Sequence, residues 1–367
     1  DLGPGAGVSV SFLSPKTNTG EAAGDVFVDI ENLIGSKNND TLEGDAKANV
    51  IDGGGGDDWF YASGGGDTYT AAKGSNSTVS YEHINASVTA YLDTGRQDLN
   101  AGSARGDHYV NVKNIIGATN SSNSLYGDDQ DNLLMGGSSN DTLVGGAGKD
   151  TLIGGLGTDL VSYEDANDGQ GVTLSLVTGG VSGLAEGDQY TGIENVNGTT
   201  FDDQITGNEV ANLLQGLDGN DTLIGGGSSD TLDGGDGDDL LKTQGSGNHY
   251  YLGGDGTNTV SYLTIQDSNA TGGATWQSLV VNSNVDNGNN AGWTFYFNSY
   301  DSTISETIAA ADVISTNIAF YAAVAETSAI TDTVIGRYLW EPIDDSQTAN
   351  WQNINNTQTP GWTAIST

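Results

Sequence analysis

The chain has 367 residues, of which 56 are Gly, 49 are Asp or Glu and 10 are Lys or Arg, giving a formal charge of −39. Such a balance excludes nucleic acid and anionic lipid surfaces as partners, since both call for clustered Lys and Arg, and it points to cations. With no Cys and no apolar run of membrane-spanning length, neither disulfides nor a transmembrane segment are expected.

In chain order, the first patterned runs are "GVSVSF" from Gly7 and "GDVFVDIENLIG" from Gly24. Both return, as "SVTAYL" from Ser87 with "GDHYVNVKNIIG" from Gly106, and as "GVTLSL" from Gly171 with "GDQYTGIENVNG" from Gly187. Each copy closes on "VSY", at 79–81, 161–163 and 260–262. The repeat therefore divides residues 1–263 into three units of about 81 residues, 1–81, 82–163 and 164–263. Residue 1 falls inside a unit, so more repeat is expected upstream.

A nine-residue period is nested inside each unit. Written G-G-x-G-x-D-x-U-x with U apolar, it is clearest in "GGGGDDWFY" (53–61), "GGAGKDTLI" (145–153), "GLDGNDTLI" (216–224) and "GGDGDDLLK" (234–242). Weaker copies such as "GSKNNDTLE" (35–43), "GDAKANVID" (44–52) and "GNEVANLLQ" (207–215) keep Asp or Asn sixth and an apolar residue eighth. Single-residue slips are expected near Ser121–Ser124 and at Leu252.

An odd period with one apolar position sends successive repeats to opposite sides of a coil, so two repeats make a turn of eighteen residues. On one edge this stacks Asp40 on Asp58, Asp141 on Asp159, Asp203 on Asp221 and Asp221 on Asp239. On the other it stacks Asn49 on Asp67, Asn132 on Asp150 and Asn212 on Asp230. Adjacent strands lie ~4.8 Å apart. Two bare carboxylates at that spacing repel by roughly 3 kcal/mol at an effective dielectric of 20. A hard cation relieves the repulsion: Ca²⁺ takes six to eight oxygens, and glycine loops present carbonyls beside the Asp side chains. The spacing predicts on the order of eight to twelve Ca²⁺, with binding free energy acting as folding free energy.

These motifs resemble the parallel β-roll of the RTX (repeats-in-toxin) family across residues 7–262, and "IENLIGSKNNDTLEGDAKANVIDGGGGDD" is similar to the roll of the serralysin-type secreted proteases. The resemblance implies an all-β, right-handed parallel β-roll or β-solenoid with calcium-filled turns. It also implies export from a Gram-negative bacterium by type I secretion, with folding outside the cell. Carried onto the sixth positions, it places calcium ligands at Asp40, Asp58, Asp67, Asp141, Asp150, Asp159, Asp203, Asp221, Asp230 and Asp239. Asn49, Asn132 and Asn212 complete the candidate metal positions as departures from the motif. Asn76, Asn248 and Asn258 depart in the same way.

His83, His108 and His249 are isolated and no HExxH or Ser/His/Asp set occurs; surface or half-buried strand positions are expected for His108 and His249, each beside a Tyr, and no enzyme is predicted. From 264 to 367 the nonapeptides stop and Trp276, Trp293, Trp340, Trp351 and Trp362 appear, which predicts a Trp-rich, β-type C-terminal domain. Trp340, Trp351 and Trp362 repeat every eleven residues; packing inside that domain explains them, and a stacking surface for a sugar or partner chain is the sharper alternative. The reading favoured is a calcium-stiffened extracellular structural or adhesive protein of the cell surface that self-associates. The alternatives are the secretion and folding module of an exported hydrolase, and a glycan-binding C-terminal domain on a rod.

Overall fold

The computed structural model describes residues 6–166, 168–243 and 249–253, followed by the strand segments Thr257–Ser261, Asn269–Thr271, Thr275–Leu279, Thr294–Tyr296, Val313–Thr316 and Thr333–Gly336. Among the described residues there is no α-helix, only four short 3-10 turns between strands. Trp276 lies in the strand Thr275–Leu279. Trp293, Trp340, Trp351 and Trp362 lie outside the described residues, as does most of the expected C-terminal domain.

Most nonapeptides resolve into a loop and a three-residue strand, and in Leu133–Gly137, Thr151–Gly155, Leu213–Asp218 and Thr231–Asp236 the strand runs on into the next loop. The strands carry β-branched and apolar residues, and the glycine loops on either side stop them from lengthening. In Thr142–Val144 the middle residue is buried and its neighbours are half-buried, the pattern of a strand with one face on the core. Leu42, Ile51, Phe60, Tyr69, Leu143, Leu152, Leu223 and Leu241 occupy such middle positions and are completely buried. Each contributes roughly 1.5 to 3 kcal/mol by leaving water. Successive side chains come from alternate sheets, and the two files together are the core of the roll.

Pairing is parallel, and its register is the coil predicted from the period. Leu42 lies beside Phe60, Leu125 beside Leu143, and Leu214 beside Leu232. The all-β parallel roll is therefore the fold of the described chain.

The coils are less uniform than the period suggests. Segments 82–113 and 164–194 are longer excursions, each carrying an antiparallel hairpin: Val88–Tyr91 with Ala101–Gly102, and Thr173–Ser175 with Gly179–Ser182. At the first excursion a four-stranded sheet ends on His108–Val110 and a ten-stranded sheet begins. The eight-stranded sheet runs on unbroken there, through Thr78–Ser80, Asn114–Ile116 and Leu133–Gly137. At the second excursion it is the eight-stranded sheet that ends, on Gln189–Thr191, while the other continues through Leu160–Ser162, Asn195–Asn197 and Leu213–Asp218. Every break in one sheet is thus bridged by an intact ladder in the other.

Candidate metal centre

The sixth-position side chains form two ladders, one along each edge of the roll. In each rung the carboxylate Oδ1 accepts the main-chain N–H of the corresponding residue one coil earlier. Asp40 donates to Asp58 at 3.0 Å, Asp141 to Asp159 at 2.8 Å, Asp203 to Asp221 at 2.8 Å and Asp221 to Asp239 at 3.0 Å. On the other edge Asn49 donates to Asp67 at 2.8 Å, Asn132 to Asp150 at 2.7 Å and Asn212 to Asp230 at 3.1 Å. All seven expected stacks are present, and each is stitched by a charge-assisted hydrogen bond.

The second oxygen separates the rungs into two kinds. Oδ2 of Asp58, Asp141, Asp150, Asp159, Asp221 and Asp230 is buried and has no hydrogen-bond partner. His249 Nδ1 lies 3.6 Å from the Asp230 oxygen, but that nitrogen accepts the Asp230 N–H and has no proton to give the carboxylate. Six other rungs are satisfied by protein. Asp40 accepts from the N–H and, at 2.9 Å, the hydroxyl of Ser36; Asp203 accepts the N–H of Thr199 at 2.7 Å and its hydroxyl at 3.0 Å. Asp67 Oδ2 takes the hydroxyls of Ser63 at 2.9 Å and Tyr69 at 2.8 Å. Asn49, Asn132 and Asn212 accept an N–H from their own loops, and Asn132 and Asn212 donate Nδ2 to main-chain carbonyls at 2.8 and 2.7 Å.

Burial dominates the electrostatics of these carboxylates. It pushes Asp58, Asp141, Asp230 and Asp239 up to about 6 and Asp150 and Asp221 up to about 8, with neighbouring acids adding less at all of these but Asp230. Asp67, Asp159 and Asp203 are raised for the same first reason. The expected carboxylate–carboxylate repulsion is therefore the smaller effect; loss of water is the larger. The reason is geometric, since each Oδ1 is already held by a main-chain donor that draws charge away from the rung beside it.

Three sixth-position assignments move. Ser77, not Asn76, receives the N–H of Asp58, at 2.8 Å. His249 takes the place expected for Asn248: its Nδ1 accepts the Asp230 N–H at 3.2 Å, and the slip expected at Leu252 has already occurred. Asn248 itself lies outside the described residues, and Asn258 lies in the strand Thr257–Ser261. His249 is only 5% exposed, deeper than a half-buried strand position, whereas His83 stacks on Tyr61 at the surface and His108 is exposed.

Sequence reasoning missed the rungs that close the ladders. Asp107 accepts the Asp67 N–H and Asp188 accepts the Asp150 N–H, both at 2.8 Å, from 40 and 38 residues away. Their other oxygens take buried tyrosine hydroxyls, Tyr81 for Asp107 at 2.5 Å and Tyr163 for Asp188 at 2.7 Å. Glu194 closes the other edge by accepting the Asp159 N–H at 2.8 Å. The signal was in the long repeat: both aspartates stand in the aligned "GDHYV" and "GDQYT" runs, and both tyrosines are the last letter of "VSY".

The unpartnered rungs suit a hard cation. A Cβ on Gly216 would stand 1.9 Å from Asp221 Oδ2 and 2.6 Å from the carbonyl oxygen of Gly234, one coil on. At Gly154 the corresponding distances are 2.4 Å to Asp159 Oδ2 and 2.1 Å to the Gly192 carbonyl. Oxygens from successive coils thus face a space that only glycine leaves open. Among the described residues no three His, Cys, Asp or Glu side chains converge, so main-chain carbonyls must complete any coordination shell. A donor set of one carboxylate and several carbonyls is the chemistry of Ca²⁺.

The family model for the RTX calcium-binding nonapeptide repeat, which spans four copies, matches residues 34–69, 124–161 and 206–241. No curated protein matches the chain. Those three segments hold all six of the unpartnered carboxylates named above, so the chain carries RTX calcium-binding nonapeptide repeats there and binds calcium through them.

Proposed function

We propose that the chain is an extracellular structural or adhesive protein whose roll becomes a stiff rod when calcium binds. The observation that carries this reading is the set of buried carboxylate oxygens without partners. At neutral pH these groups oppose folding, and a cation that binds only the folded roll reverses the balance by mass action. Such a chain stays unfolded where calcium is scarce and folds where calcium is plentiful, as it is outside cells. The chain is not an enzyme in this reading: the three histidines are scattered over a stacked surface position, an exposed strand and the end of a ladder.

Self-association belongs to the same reading, since the coils of a solenoid stack by presenting a sheet edge at each end. Small-angle scattering and electron microscopy of the full chain in millimolar calcium and again after dialysis into EGTA test the proposal. Extended particles that collapse and dissociate on calcium removal are expected. Particles unchanged by EGTA would refute it.

A further inference from the structure

The loops differ systematically at their second residue, and we propose that this residue decides which of them take calcium and which close without it. The proposal rests on the calcium-dependent reading above and says how the metal is distributed. In the loops whose aspartate has an unpartnered Oδ2, the second residue is Gly54, Gly137, Gly146, Gly155, Leu217 or Gly226, and each has a positive φ. In the self-satisfied loops that begin with glycine it is Ser36, Asp45, Asp128, Thr199 or Asn208. None of these five has a positive φ. Their N–H groups bond the side-chain oxygen four residues on, at 2.7 to 2.8 Å for Asp45, Asp128, Thr199 and Asn208.

The backbone geometry explains the division. With φ negative, the second N–H meets the sixth side chain, which reaches back to it as the N3 side chain of a capping box reaches back to the N-cap N–H. With φ positive that bond is not made, as at Gly54, whose N–H goes to Asp52 Oδ1 at 2.9 Å instead, and a buried carboxylate oxygen is left for a cation to satisfy. Glycine enters the left-handed region without strain. Gly146, at φ +97, shows why a side chain is excluded as well: a Cβ there would stand 2.2 Å from the carbonyl oxygen of Asp128 in the coil below.

The two kinds of loop are also ordered along the chain. The nonapeptide run of each unit begins with one self-closed loop on each edge: those of Asp40 and Asn49, of Asn123 and Asn132, and of Asp203 and Asn212. For Asn123, in a seven-residue loop, the donor is the Ala118 N–H at 3.1 Å. Calcium-type loops follow, and where an excursion intervenes Tyr81 and Tyr163 hydroxyls occupy the last carboxylates. Each unit thus has one complete coil whose polar groups are satisfied by protein alone. That coil is a metal-independent starting surface on which calcium builds the rest. About six cations, one for each loop with an unpartnered Oδ2 from Asp58 to Asp230, replace the eight to twelve expected from spacing.

Hydrogen exchange of the full chain in chelator at neutral pH, together with calcium counting by native mass spectrometry, tests this. Slow exchange is expected at 35–52, 117–135 and 198–215 without calcium, spreading into 136–162 and 216–242 as calcium is added. Asp203→Asn should keep the full calcium count, and Asp221→Asn should lose one ion. Thr199→Gly should abolish calcium-free protection at 198–215. Uniformly fast exchange in chelator, or equal calcium loss in Asp203→Asn and Asp221→Asn, would overturn the division while leaving calcium-dependent folding intact. A chain that binds no calcium would instead sink the function proposed above.

Discussion

Loops 127–132 and 145–150 are successive turns on the same edge, equal in length, each opening on glycine, and they solve the same problem in opposite ways. In the first, Asn132 accepts the Asp128 N–H and donates to the Lys113 carbonyl, both at 2.8 Å, so every polar atom of its side chain is used. In the second, Asp150 spends Oδ1 on the Asn132 N–H and leaves Oδ2 unpartnered, and burial pushes its carboxyl up to about 8. Both side chains are buried. Burial therefore does not make a metal site by itself; an unfilled acceptor in a buried place does.

Acidity should disturb the calcium-type loops most. A carboxyl whose folded value is raised favours the folded chain below the unfolded value of about 4 and loses that contribution as pH rises through the folded value. For Asp58 and Asp141 the window is about 4 to 6, and for Asp150 and Asp221 about 4 to 8. In chelator, β-structure followed by circular dichroism should therefore increase as pH falls from 8 to 5. In calcium the sign reverses for binding, because protons compete with the cation and affinity should weaken over the same range. A calcium-free chain indifferent to pH would contradict the burial argument.

Substitution separates the two loops next. Asp150→Ala should remove about 2 to 3 kcal/mol of the stability measured in excess calcium and little in chelator, since what it loses is chiefly linkage to the cation. Asn132→Ala strands an N–H and a carbonyl and should cost about 1 to 2 kcal/mol with or without calcium. Asp159→Ala should weaken calcium binding beside Asp141 and spare the Asp150 edge; equal damage to both edges would contradict the eighteen-residue register.

A smaller effect is expected where tyrosine stands in for the cation. Tyr163→Phe uncaps Asp188 and should cost about 1 kcal/mol in denaturant titrations. If the freed oxygen can recruit calcium, the deficit will shrink as calcium is raised. The smallest change is a gain. Leu217 is held at φ +84 in a loop where the other members use glycine, and Leu217→Gly should stabilise the chain by up to about 1 kcal/mol in thermal melts with calcium.

The sequence alone determined the roll, its eighteen-residue coil and the pairing of carboxylates across it, because an odd period with one apolar residue leaves the chain few other ways to bury Leu143 and Leu152 together. It also marked nearly every rung, from Asp40 to Asp239. It did not reveal which rungs are satisfied, since Asp203 and Asp221 look alike as sixth residues and differ only in the φ of Thr199 and Leu217 four positions earlier. Nor did it place Asp107, Asp188, Glu194 or His249 in the ladders, because those contacts cross excursions that break the period. Periodicity fixes what repeats at constant spacing. Where a loop's N–H points, and which side chain closes a ladder across an irregular segment, was decided by the stacking of one coil on the next, where a buried acceptor must find either a donor or a cation.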